Sequence, residues 1–282
     1  MRLNRFDPSS INVRGGGGGG FPGGMGGGVG CGTIVIALIA ALVFGVDPSS
    51  MLGGMQSGAP TTQSETGGQS AEQLCSANQY ATEACNALSS LNQTWEPVFQ
   101  QARVPFQRPE MVFYTGGTPS GCGNASSAMG PFYCPQDQGI YIDTSFYDQL
   151  DRQLGARGDF ARYYVVAHEY GHHIQKLTGV ADAIRSAQSQ DPRGANQLQV
   201  RMELQADCYA GVWAGKNRNL IEPGDFEEGM TAASAIGDDR LTGGRVSSEN
   251  FTHGTSAQRM EALRAGMESA NDSVCDRYVQ VS

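Results

Sequence analysis

Basic side chains are in short supply in this 282-residue chain. Nineteen Lys and Arg stand against 28 Asp and Glu, a formal net charge of −9. Residues 1–30 hold Arg2, Arg5 and Arg14 against Asp7, so the remainder is more acidic still, at −11. An acidic body is repelled by phosphate backbones, which excludes nucleic acid as a partner. Charged residues make up only 17%, too few for a chain disordered throughout. No internal repeat is present. Histidine is scarce: there are four, and three of them fall within positions 168–173.

Charge is missing altogether between Gly15 and Val46. Eleven of the fourteen residues 15–28 are Gly, a tether with no side chains to bury. Val29–Val46 is apolar throughout, and eighteen helical residues span about 27 Å, close to the ~30 Å hydrocarbon core of a bilayer. No polar face marks it as an amphipathic core helix. No A-x-A site follows it, and Cys31 precedes the apolar core, so neither a cleaved signal nor a lipoprotein cysteine is expected. The arginines before the run and Asp47 after it predict a single-pass anchor in the cytoplasmic (inner) membrane. The N-terminus lies in the cytoplasm and the remainder on the periplasmic side. The expected division is a basic, Gly-rich cytoplasmic tail (1–28), a transmembrane helix (29–46), a flexible linker (47–70) and one domain (71–282).

Six cysteines follow the apolar run, at 75, 85, 122, 134, 208 and 275. An even number outside the cytoplasm points to as many as three disulfides, in any of 15 pairings. Cys122 and Cys134 flank a short Gly-rich loop and make the best pair. Cys208 with Cys275 would pin the C-terminal tail to a helix. Cys75 and Cys85 can bond only if the chain turns between them, near Ser76–Asn78, because ten residues of straight helix separate them by about 15 Å.

Periodicity predicts helices at 73–101, 160–177, 197–216, 223–236 and 256–270. It predicts strands at 111–114 and 139–143, which gives an α+β domain, mostly helical with a small sheet. Leu74, Leu88, Leu91, Trp95, Val98 and Phe99 are candidate core residues of the first helix.

The second of these helices contains His168, Glu169 and His172, an H-E-x-x-H match. Residues i and i+4 share a helix face, so both imidazoles reach one metal ion, and Glu169 is placed to take a proton from its water. A long metzincin continuation is excluded, because Gln175 and Thr178 stand where Gly and His are needed. His173 projects about 100° from His172 and is expected to pack or to bond a backbone group. The third ligand is therefore His253 or a carboxylate. Glu203 and Asp207 stand out, again i and i+4, on a mostly apolar helix where charge needs a reason. Glu203 suits the metal and Asp207 the ring N–H of a ligand His; two solvated charges on an exposed stripe are the plainer reading.

Taken together, these motifs resemble the neutral zinc metallopeptidases of bacterial membranes. The matching stretches are the basic tail, Gly tract and GVDPS, then 128–143 (AMGPFYCPQDQGIYID), 168–175 (HEYGHHIQ), 203–215 (ELQADCYAGVWAG), 236–240 (IGDDR) and 253–259 (HGTSAQR). The resemblance implies a gluzincin-like site binding one Zn2+ per chain, with His168, His172 and Glu203 as ligands and Glu169 as general base. It implies a membrane-anchored peptidase with a peptide or protein substrate. Alternatives are another zinc amide hydrolase acting on cell-envelope peptides and a non-catalytic zinc-stabilised scaffold. A tetrahedral oxyanion needs a further donor, for which His253 is the candidate, with Tyr209 and Arg259 behind it. Capping of the following helix is the other role open to His253. Ile140–Asp143 is expected as an edge strand able to accept an extended peptide. Asp238 and Asp239 have no assignment beyond loop hydrogen bonds or a second cation.

Overall fold

The computed structural model describes residues 1–16 and 69–280. Among these residues no helix is long and apolar enough to cross a membrane. The expected span at 29–46 lies outside the described residues, as do positions 17–28 of the tether and 47–68 of the linker.

The long helix expected at 73–101 is two helices. Helix α1 (Ala71–Cys75) starts at a Ser70–Gln73 capping box, and α2 (Gln79–Ala102) starts at Asn78, whose side chain accepts the Ala81 N–H. The turn between them brings Cys75 and Cys85 together as a disulfide. Along α2, Leu88, Leu91, Trp95 and Phe99 are buried as their spacing predicts, and Val98 is half-buried.

A four-stranded sheet follows the order β1-β2-β6-β5, where β1 is Asn12–Gly15, β2 Glu110–Tyr114, β5 Phe132–Cys134 and β6 Gly139–Asp143. The first three neighbours run parallel and β5 runs antiparallel to β6. Every residue of β6 is buried, so Ile140–Asp143 is a central strand and not the expected edge; β5 occupies that edge. A hairpin, β3 (Gly117–Ser120) with β4 (Gly123–Ser126), covers the face carrying Val112, Tyr114 and Tyr141. The Cys122–Cys134 disulfide fastens this hairpin to β5.

After the sheet come α3 (Ser145–Arg152), α4 (Asp159–Leu177), α5 (Val180–Gln190), α6 (Ala195–Lys216), α7 (Asp225–Ala235), the single turn α8 (Asp238–Leu241) and α9 (Ser256–Ser269). Helices α4 and α6 pack through the centre with α2 on one side and α7 and α9 on the other. Close approach is written into small residues. A Cβ at Gly171 of α4 would stand 2.8 Å from both the Cα and the carbonyl oxygen of Ala206 on α6. Gly211 and Gly266 play the same part between α6 and α9, where the Cys208–Cys275 disulfide also ties the C-terminal segment to α6. Changing Gly171 to Ala forces α4 and α6 apart. The expected cost is about 1–3 kcal/mol, read as a lower Tm by calorimetry.

The greatest departure from expectation concerns residues 1–15. They are no separate tail: they form a strap laid across the domain. Met1, Phe6 and Ile11 are buried, about 1.5–3 kcal/mol for each such side chain. The Phe6 N–H reaches Asn86 Oδ1 at 2.9 Å, and Asn92 Nδ2 donates to the Ser10 carbonyl at 2.9 Å. The Met1 amino group meets Asp159 Oδ1 at 3.0 Å and Asp225 Oδ1 at 2.6 Å. The strap ends as β1, in register Val13 to Met111. Asn12–Gly15 holds one strand-favouring residue, Val13, and so carries no strand signal of its own; its pairing is made by a distant partner.

Candidate metal centre

Helix α4 carries His168 and His172 one turn apart, ring centroids 4.8 Å from each other. Gly171 lies between them on the side that meets α6, so the close helix contact delivers Glu203 to the two rings. Glu203 Oε2 is 3.1 Å from His168 Nε2, and Oε1 is 3.6 Å from His172 Nε2. Ligand atoms of these three residues all lie within 4.8 Å of one another. His168 and Glu203 are buried; His172 is half-buried.

Each imidazole is turned by a partner on its other nitrogen. His168 Nδ1 is 2.8 Å from Asp207 Oδ1, and His172 Nδ1 is 2.8 Å from Gln175 Oε1. Both partners accept, so both rings hold N–H outward and present Nε2 to Glu203. Gln175 is itself fixed by donating to the Met202 carbonyl at 2.8 Å and to Gln205 Oε1 at 3.0 Å. Gln199 Nε2 donates to Glu203 Oε1 at 2.9 Å. Asp207 is wholly buried, as expected of a residue behind a ligand His. It accepts from Tyr164 Oη at 2.5 Å and from Arg259 through Nε at 2.8 Å and Nη2 at 2.9 Å. The solvated-stripe reading of Glu203 and Asp207 is therefore wrong, because the helix face they share is interior.

The charges show what the cluster needs. Burial raises the Asp207 carboxyl, but Arg259 and His168 outweigh it and bring it to about 2. Burial likewise opposes ionisation of Glu203, yet His172 and His168 hold it well below the ordinary carboxylate range. Burial alone would lower His168; the Asp207 carboxylate overrides it and lifts the imidazole to about 9. Two buried carboxylates held ionised beside the paired imidazoles suit a divalent cation in a site of two His and one Glu. The donor set fits zinc: imidazole nitrogen and carboxylate oxygen, with both rings oriented from behind.

Glu169 follows His168 directly and is 9% exposed, with no hydrogen-bond partner among the described residues. His253 is one-fifth exposed and close enough to help hold Glu203 ionised. Asp238 secures it: Oδ2 accepts the backbone N–H of Thr252, His253 and Gly254 at 2.7, 2.6 and 3.1 Å, and Oδ1 lies 3.2 Å from His253 Nδ1. Helix α9 is capped by Thr255 in a box with Gln258, so capping is not the role of His253. Asp239 Oδ1 accepts from the Ser256 N–H at 2.7 Å and from its hydroxyl at 2.8 Å, which accounts for the second member of the pair without a cation.

Two expected oxyanion donors fall away. Tyr209 is buried edge-on against Trp95, 5.5 Å between centroids, and Arg259 is 1% exposed and spent on Asp207 and Tyr164. His173 behaves as expected of a packing residue: Nε2 donates to the Gln107 carbonyl at 2.6 Å, Nδ1 accepts from Tyr133 Oη at 3.0 Å, and burial brings it to about 4. Sequence reasoning missed Tyr164, Gln175 and Gln199. Of these, only Gln175, three residues after His172, carried a usable signal.

Residues 4–278 match the model of a family described as "Putative neutral zinc metallopeptidase". An Escherichia coli K12 relative, "Uncharacterized protein YpfJ", is 42% identical over 252 residues, 87% of this chain and 85% of its own. The Mycobacterium tuberculosis H37Rv relative "Uncharacterized protein Rv2575" is 41% identical over 206 residues, 67% of this chain and 68% of its own. No solved structure matches the chain.

Proposed function

We propose, from the premise that this chain belongs to the neutral zinc metallopeptidase family, that it is a zinc-dependent peptidase hydrolysing peptide bonds with water. The observation that supports this most is the meeting of His168, His172 and Glu203 beside a Glu169 carboxylate that has no structural employment. A site that only held the fold together would not need that carboxylate.

His168, His172 and Glu203 would hold the ion. Zinc bound there supplies Lewis acidity and lowers the pKa of water. Glu169 accepts the proton of the attacking water and returns it to the leaving amine. His253, steadied by Asp238, donates to the oxyanion of the tetrahedral intermediate. The outer edge of β5, which has no further strand beside it among the described residues, offers backbone groups to an extended peptide. Substrates are peptides or proteins in an oxidising compartment outside the cytoplasm, a reading supported by the three disulfides.

The test is metal removal. Zinc-loaded full-length protein should cut members of an unbiased peptide library. A chelator should abolish cleavage, and added zinc should restore it. Cleavage undiminished after zinc is stripped, or no peptide cut by the loaded protein, defeats the proposal.

A further inference from the structure

We propose that residues 1–15 and the metal-bearing domain occupy the same compartment. Positive flanking charge argued the opposite, through Arg2, Arg5 and Arg14. In the folded protein all three are paired with carboxylates of the domain: Arg2 with Glu222, Arg5 with Glu72, and Arg14 with Glu110, the last at 2.6 Å. The charges that would hold a tail on the cytoplasmic face are thus matched, one for one, by acidic partners across the strap.

Exposed ion pairs alone carry little weight. Here they flank apolar anchors, since Met1, Phe6 and Ile11 are each 5% exposed or less. Removing the strap would uncover that core surface, and it would leave β2 as an open parallel edge, a liability that folded proteins avoid.

An independent observation concerns where the chain leaves the domain and where it returns. Gly15, the last residue of β1, lies against α1: a Cβ there would stand 3.6 Å from Leu74 Cδ2. Arg5 reaches Glu72 on the same helix, and Ser70 caps it. Departure and re-entry are side by side on one face. A single passage through a bilayer between residues 16 and 69 would place these touching elements on opposite sides of it.

The test uses the full-length protein in its host membrane with Cys31 changed to Ser. Single cysteines are introduced at two exposed positions, Asn4→Cys on the strap and Ser189→Cys on the domain. Intact and lysed cells are treated with a membrane-impermeant maleimide. The labelled fraction in intact cells, relative to lysed cells, is expected to be the same for both positions, whether both react or both are protected. Reaction at one position with protection at the other overturns the proposal.

Discussion

Glu169→Gln is expected to retain a full complement of zinc and the parental Tm while kcat/KM for peptide cleavage falls by about 10²–10⁴-fold. The amide matches the carboxylate in size but takes no proton. Glu169 has no hydrogen-bond partner among the described residues, so the substitution breaks no structural bond. The two imidazoles and Glu203 keep their partners, which lie on Asp207, Gln175 and Gln199. Steady-state kinetics with metal analysis on the same sample separates chemistry from loading. A variant that cleaves as fast as the parent removes Glu169 from the reaction and leaves the zinc site standing.

Glu203→Ala acts on the other term. Loss of a partner behind a ligand His weakens a metal site by about 10–100-fold, and loss of a ligand should exceed that. His168 and His172 would then face each other, rings 4.8 Å apart, with no anion between them. The expected result is a zinc dissociation constant raised more than about 100-fold in competition with a chromophoric chelator, with activity lost in proportion. Parental affinity would mean that another group, His253 being nearest in kind, completes the coordination.

How far the chain could be read in advance differed by distance. His168, Glu169 and His172 are local to one another, fixed by the pitch of one helix, and α4 places them as periodicity says. Glu203 and Asp207 were legible because a carboxylate on an apolar helix demands an explanation, and the structure sets Glu203 against both rings and Asp207 behind His168 as that reading expected. The Cys75–Cys85 bridge was conditional on a turn at 76–78, and Asn78 supplies it by capping α2. The docking of residues 1–15 on the domain was not foreseen, because the partners of its arginines, Glu222, Glu72 and Glu110, lie 67–220 residues away. The edge position of Ile140–Asp143 failed for a similar reason: β5, the strand that takes the edge beside it, had not been recognised in the sequence.

X-ray absorption at the zinc edge of the loaded protein examines the claim on which the rest depends. The account predicts one zinc per chain in a shell of nitrogen and oxygen only, with multiple scattering from two imidazoles. A sulfur shell, or scattering from a single imidazole or from none, would contradict it.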